Sequence, residues 1–79
     1  MSPTLFRVGP FRFFFFSRAE RRPHVHVISA DGEAKYWLEP EVDLAKNHGL
    51  SSRALGRVEE IVRERREEIL NAWNRHFGG

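Results

Sequence analysis

Hydrophobic and polar positions change period halfway along the chain. The first half alternates with a period of two, the signature of half-buried strands. "TLFRV" (4–8) precedes the turn pair "GP", and "FRFFFFS" (11–17) follows it, rich in strand-prone aromatics. "RAERRP" (18–23) is a polar loop, in which Pro23 biases Arg22 towards an extended conformation. "HVHVIS" (24–29) and "EAKYWL" (33–38) flank "ADG", where Asp31-Gly32 signals a hairpin. "EPEVDLAKNHGLS" (39–51) reads as a connector with a short extended piece at Val42 to Leu44 and a turn at Asn47-His48-Gly49.

Beyond Ser51, a good helix N-cap, the period becomes helical. Leu55, Val58, Val62, Ile69, Trp73 and Phe77 form one apolar stripe, widened by Ile61 and Leu70. Glu59–Arg63 and Arg63–Glu67 are i,i+4 pairs on the wet side, and the stems of Arg65 and Arg66 border the stripe. Gly78 stops the helix. Gly56, costly early in a helix by ~1 kcal/mol relative to Ala, has no explanation in the pattern. The expected fold is α+β: a small antiparallel sheet of three to four strands with one long C-terminal helix packed on one face.

The faces can be sorted. With Asp31-Gly32 as a two-residue turn, Ser29 pairs with Ala34, Val27 with Tyr36 and Val25 with Leu38. One face then reads Val25, Val27, Ala34, Tyr36, Leu38 and suits the helix stripe. The other reads His24, His26, Ile28, Glu33, Lys35, Trp37. A three-residue loop would mix these sets, so the segregated register is preferred. In the second strand, Phe11, Phe13 and Phe15 belong inside, while Arg12, Phe14 and Phe16 join the histidines on an open face.

Length and charge sharpen this picture. Seventy-nine residues make a single domain, 1–79, burying only ~60% of its unfolded surface. Its core supplies only ~3–5 kcal/mol, so self-association or a partner would add stability. Cysteine is absent, which excludes disulfides and thiolate metal sites. The net charge is +2, but Arg7, Arg12, Arg18, Arg21 and Arg22 face one acid, Glu20, in residues 1–29. Such a cluster suits phosphate or an acidic protein surface. The run Phe13 to Phe16 is too short to span a membrane, and no charged leader precedes a secretory segment. A soluble cytoplasmic protein is expected, with no cofactor.

Three chemistries fit the open face. Basic groups and exposed rings on a sheet suit RNA: Arg12, Arg18, Arg21 and Arg22 for phosphates, Phe14, Phe16 and Trp37 for stacking. His24 and His26 could divide acid–base cleavage between them, because imidazole titrates near neutrality, with Lys35 or Arg12 stabilising the phosphorane. An uncovered face or strand edge also suits a partner protein or a homodimer. A hydrolytic metal on His24, His26 and Glu33 is the third reading, opposed by the nearby cations Lys35 and Arg12. His48 and His76 read as ordinary residues of a turn and a helix end.

"SPTLFRVGPFRFFFFS", "PHVHV", "GEAKYWL", "NHGLS" and "REEILNAWNRHFG", in that order, resemble the small bacterial family known as domain of unknown function 4160. The resemblance spans nearly the whole chain and places the family's P-H-x-H-V on Pro23, His24, His26 and Val27. It implies a component of a toxin–antitoxin-like pair, with a cognate small protein encoded nearby. Family members commonly carry tyrosine near Phe14 and Phe16, and this chain has neither hydroxyl. That departure bears on catalysis more than on binding.

Overall fold

The computed structural model describes residues 4–16 and 20–78. Five strands form one antiparallel sheet in the order β1-β2-β3-β4-β5: Thr4–Val8, Phe11–Phe14, His24–Ser29, Gly32–Trp37 and Asp43–His48. Two helices follow, α1 (Ser52–Glu64) and α2 (Arg66–Phe77). The class is α+β, but the expectation of three to four strands and one long helix is corrected on both counts.

The fifth strand was hidden by its composition. "DLAKNH" has no apolar alternation, and its residues are mostly exposed. It holds its place through the backbone ladder to β4 and through its ends. Asn47 accepts from the Leu50 amide (3.1 Å) and donates to the Leu50 carbonyl (3.0 Å), closing the turn into α1. Gly49 sits at φ +95°, and Gly32 lies so close to the His48 carbonyl that a Cβ there would clash. Glycine at 32 therefore lets the end of β5 lie against the β3–β4 turn.

The helix breaks at Arg65 (φ −107°, ψ 16°) without glycine or proline. Two arginines stand where the apolar stripe would continue after Val62. Arg65 lays its guanidinium 4.0 Å over the Phe6 ring, and Arg66 donates to the Leu38 carbonyl (2.7 Å). Each uses its polar head on the sheet, so the stripe resumes only at Ile69 and Trp73. The N-cap is as expected, with Ser51 Oγ accepting from the Ala54 amide.

The core lies between the helices and one sheet face. Phe13, Phe15, Val25, Val27, Tyr36 and Leu38 pack against Val58, Val62 and Ile69. Tyr36, wholly buried, donates its hydroxyl to the Leu55 carbonyl (3.1 Å) and so ties β4 to the first turn of α1. Burial pushes this phenol up to about 12, which keeps it protonated as a donor.

The hairpin register differs from the expected one. Ser29 lies opposite Gly32, Val27 opposite Ala34 and Val25 opposite Tyr36, so Ala30-Asp31 forms the tip. The turn moved by one residue on each strand. The pairing therefore slid by two and kept every side chain on its face.

Candidate nucleic-acid interface on the open sheet face

The uncovered face is built in cross-strand rows. Phe14 lies opposite His26, His26 opposite Lys35, and Lys35 opposite Lys46. A neighbouring row joins Arg7, Arg12, Ile28, Glu33 and His48. A cleft of about 190 Å³ opens over β3, β4 and β5, lined by Phe16, His26, Glu33, Lys35, Lys46 and His48, with Ala34.

Aromatic rings frame one side. His26 stacks on Phe14 (5.5 Å between centroids) and meets Phe16 edge-on (4.3 Å). Phe14 is nonetheless buried, at 4% exposure, beneath its neighbours, including the Arg12 guanidinium 4.8 Å above its ring. Phe16 is 45% exposed and is the ring available for stacking. Lys35 sits over Trp37 (4.4 Å), and its ammonium bonds the Glu20 carboxylate. That bond, then the lysine charge itself, holds the Glu20 carboxyl below its usual range.

His24 departs from expectation. Its parity is that of the open face, but its ring is 2% exposed. β2 is paired only as far as Phe14, opposite His26, so His24 has no strand partner on that side among the described residues. Trp73 of α2 fills the gap at 5.0 Å, with Trp37 at 5.6 Å and His26 at 5.1 Å. His24 Nδ1 lies 2.7 Å from the Arg22 carbonyl, which only accepts, so the neutral ring carries its proton there.

The two imidazoles are correspondingly hard to charge. Burial holds His24 below its ordinary value, and burial, then the neighbouring His24 and Lys35, pushes His26 down to about 4. Both shifts favour the neutral ring. A proton on either ring, as acid–base cleavage would need for the leaving oxygen, is therefore disfavoured by the fold, most strongly at His26.

The other expected residues scatter. Arg22 is committed, donating to the Glu39 carbonyl (2.9 Å) and lying 4.3 Å over Trp37. Arg21 is exposed near it, and Arg12, half-buried, has an unpartnered Nε. Arg18 lies outside the described residues. Among the described residues no three His, Asp or Glu side chains come together to hold a metal ion, so Glu33 does not complete a site with His24 and His26. No helix among them is long and apolar enough to cross a membrane.

Lys46 and His48 were missed as site residues. Their signal was an alternation, K-x-H two residues apart, of the same kind that drew attention to His24 and His26. The segment lacks the apolar residues that mark a strand, so this alternation does not stand out in the sequence.

No curated protein and no solved structure matches the chain. The model of one family, described as domain of unknown function DUF4160, matches residues 11–74, which include every residue lining the cleft, from Phe16 to His48. The chain belongs to the DUF4160 family.

Proposed function

We propose that this chain is a nucleic-acid-binding protein, one component of a toxin–antitoxin-like pair, whose open sheet face receives single-stranded RNA. One observation carries the reading: Lys35 and Lys46 lie directly opposite each other in the cleft, beside His26 and the exposed Phe16 ring. Like charges opposed across strands cost roughly 0.2–1 kcal/mol. A phosphate between them turns that repulsion into two charge-assisted contacts. The adjacent ring offers a base a stacking surface, worth about 1–3 kcal/mol per base in such sites. Binding does not require His24 or His26 to exchange protons.

Fluorescence anisotropy with a labelled oligouridylate of about eight nucleotides tests this, within the site sizes usual for such surfaces. Binding is expected at low salt, weakening with a log–log slope of about −0.7 for each phosphate neutralised. Lys46→Ala should lower both the affinity and the slope. Absence of binding at low salt, or a slope unchanged by that substitution, overturns the reading. The paired context is tested separately by growth: expression alone against co-expression with the neighbouring small gene.

A second reading, a non-enzymatic dimeric interaction module, draws on the free edge of β5, where Leu44 is a large exposed apolar side chain. Sedimentation at rising concentration separates the two, since a monomer throughout removes the dimer.

A further inference from the structure

We infer that the cleft recognises the end of a strand, taking a terminal phosphomonoester between Lys35 and Lys46 with the adjoining base on Phe16. The inference rests on the nucleic-acid reading and narrows it to one ligand chemistry.

Charge is the first argument. A phosphomonoester carries about −1.5 to −2 at pH 7, whereas a phosphodiester carries a single charge. Two lysines are cross-strand partners here and both line the cleft, and Lys46 has no ion-pair partner among the described residues. Among the described residues the ion-pair partner of Lys35 is Glu20, an exposed carboxylate contributed by the loop before β3. That contact shows the ammonium presenting itself to an oxyanion. It also makes Glu20 the group that an incoming phosphate displaces.

Size and surroundings are the second. At about 190 Å³ the cleft is smaller than the ~300–1,000 Å³ of ordinary small-molecule pockets, so it accepts a charged group and part of what bears it. Along β4 the Glu33 carboxylate lies two residues from Lys35 and also lines the cleft, about 7 Å away at strand spacing. A strand continuing in that direction would bring its next phosphate against a carboxylate. In the opposite direction lie the exposed Phe16 ring and then Trp37 with the Arg22 guanidinium above it. Of the two directions along β4, the one towards Phe16 and Trp37 therefore suits a polyanion and the one towards Glu33 does not, the asymmetry an end-binding site requires.

The test uses the full chain and three oligouridylates of one sequence, carrying a 5′-phosphate, a 3′-phosphate or neither, each labelled at the end not under test. One phosphorylated strand should bind about tenfold or more tightly than the unphosphorylated strand. Lys46→Ala should abolish that preference, Lys46→Arg should retain most of it, and Glu20→Gln should enlarge it. Uridine monophosphate with the preferred phosphate position should compete, and uridine should not. Equal binding of all three strands overturns the end-recognition inference while leaving RNA binding intact. Binding by none overturns both. Circular dichroism of each variant confirms that the exposed substitutions leave the fold in place, so that loss of preference is read as loss of contact.

Discussion

Protonation of His26 should destabilise the protein over a defined pH window. The ring is held between Phe14 and Phe16, beside His24 and Lys35, and burial pushes it from the ordinary 6.5 down to about 4. Between these two values the unfolded chain takes up a proton that the folded chain refuses. Stability therefore falls as the pH drops from about 6.5 towards 4, and this group contributes no slope above that window. The full shift gives about 2 kcal/mol between pH 7 and pH 5. Solvent at the half-open ring screens this to about 1 kcal/mol. Urea denaturation at the two pH values measures it, with His26→Gln as the variant that has nothing to titrate. Wild type should lose about 1 kcal/mol more than the variant on acidification. Parallel losses, or an imidazole resonance of residue 26 that titrates near 6.5, would refute the reasoning. Comparing the two proteins removes the contribution of Glu20. Its lowered value places its own loss of stability below 4.5, as the lysine contact is protonated away.

Three further substitutions probe the scaffold. Tyr36→Phe removes the hydroxyl bonded to the Leu55 carbonyl and should cost about 0.5–1.5 kcal/mol in urea denaturation, with the fold unchanged. Gly32→Ala places a methyl against the His48 carbonyl and should lower the melting temperature by several degrees, about 4–8 °C for each kcal/mol lost. It should also weaken RNA binding, because β5 carries Lys46 and His48 beside that turn. Trp73→Leu uncovers His24, whose imidazole should then titrate closer to 6.5 by proton NMR, since burial is the main cause of its depression.

What the sequence made legible was periodicity, and what it concealed was backbone geometry. The alternation in "HVHVIS" and "EAKYWL" placed Val25, Val27, Ala34 and Tyr36 inside even though the turn was located one residue late. Parity survives a two-residue slide, and only an odd slip would have exchanged the faces. The stripe from Val58 to Trp73 likewise identified the helical side of the core. β5 escaped because an edge strand of polar residues is held by ladder hydrogen bonds and by the Asn47 turn, neither of which leaves an apolar pattern. The break at Arg65 escaped because its cause is tertiary: arginines engaging Phe6 and the Leu38 carbonyl.

The candidate site was legible to the same extent. His26, Lys35 and Phe16 do share one cleft, and strand parity was enough to say so. His24 was assigned to that surface by the same parity, yet Trp73, distant in sequence, closes over it where β2 stops short. Parity assigns a face. It does not reveal what else reaches over that face.

The most direct test is a titration of the nitrogen-15-labelled protein with the oligouridylate, followed amide by amide. Shifts concentrated at Phe16, His26, Lys35, Lys46 and His48, with α1 and α2 unmoved, are the predicted result. Shifts confined to the helices, or none at saturating RNA, would contradict it.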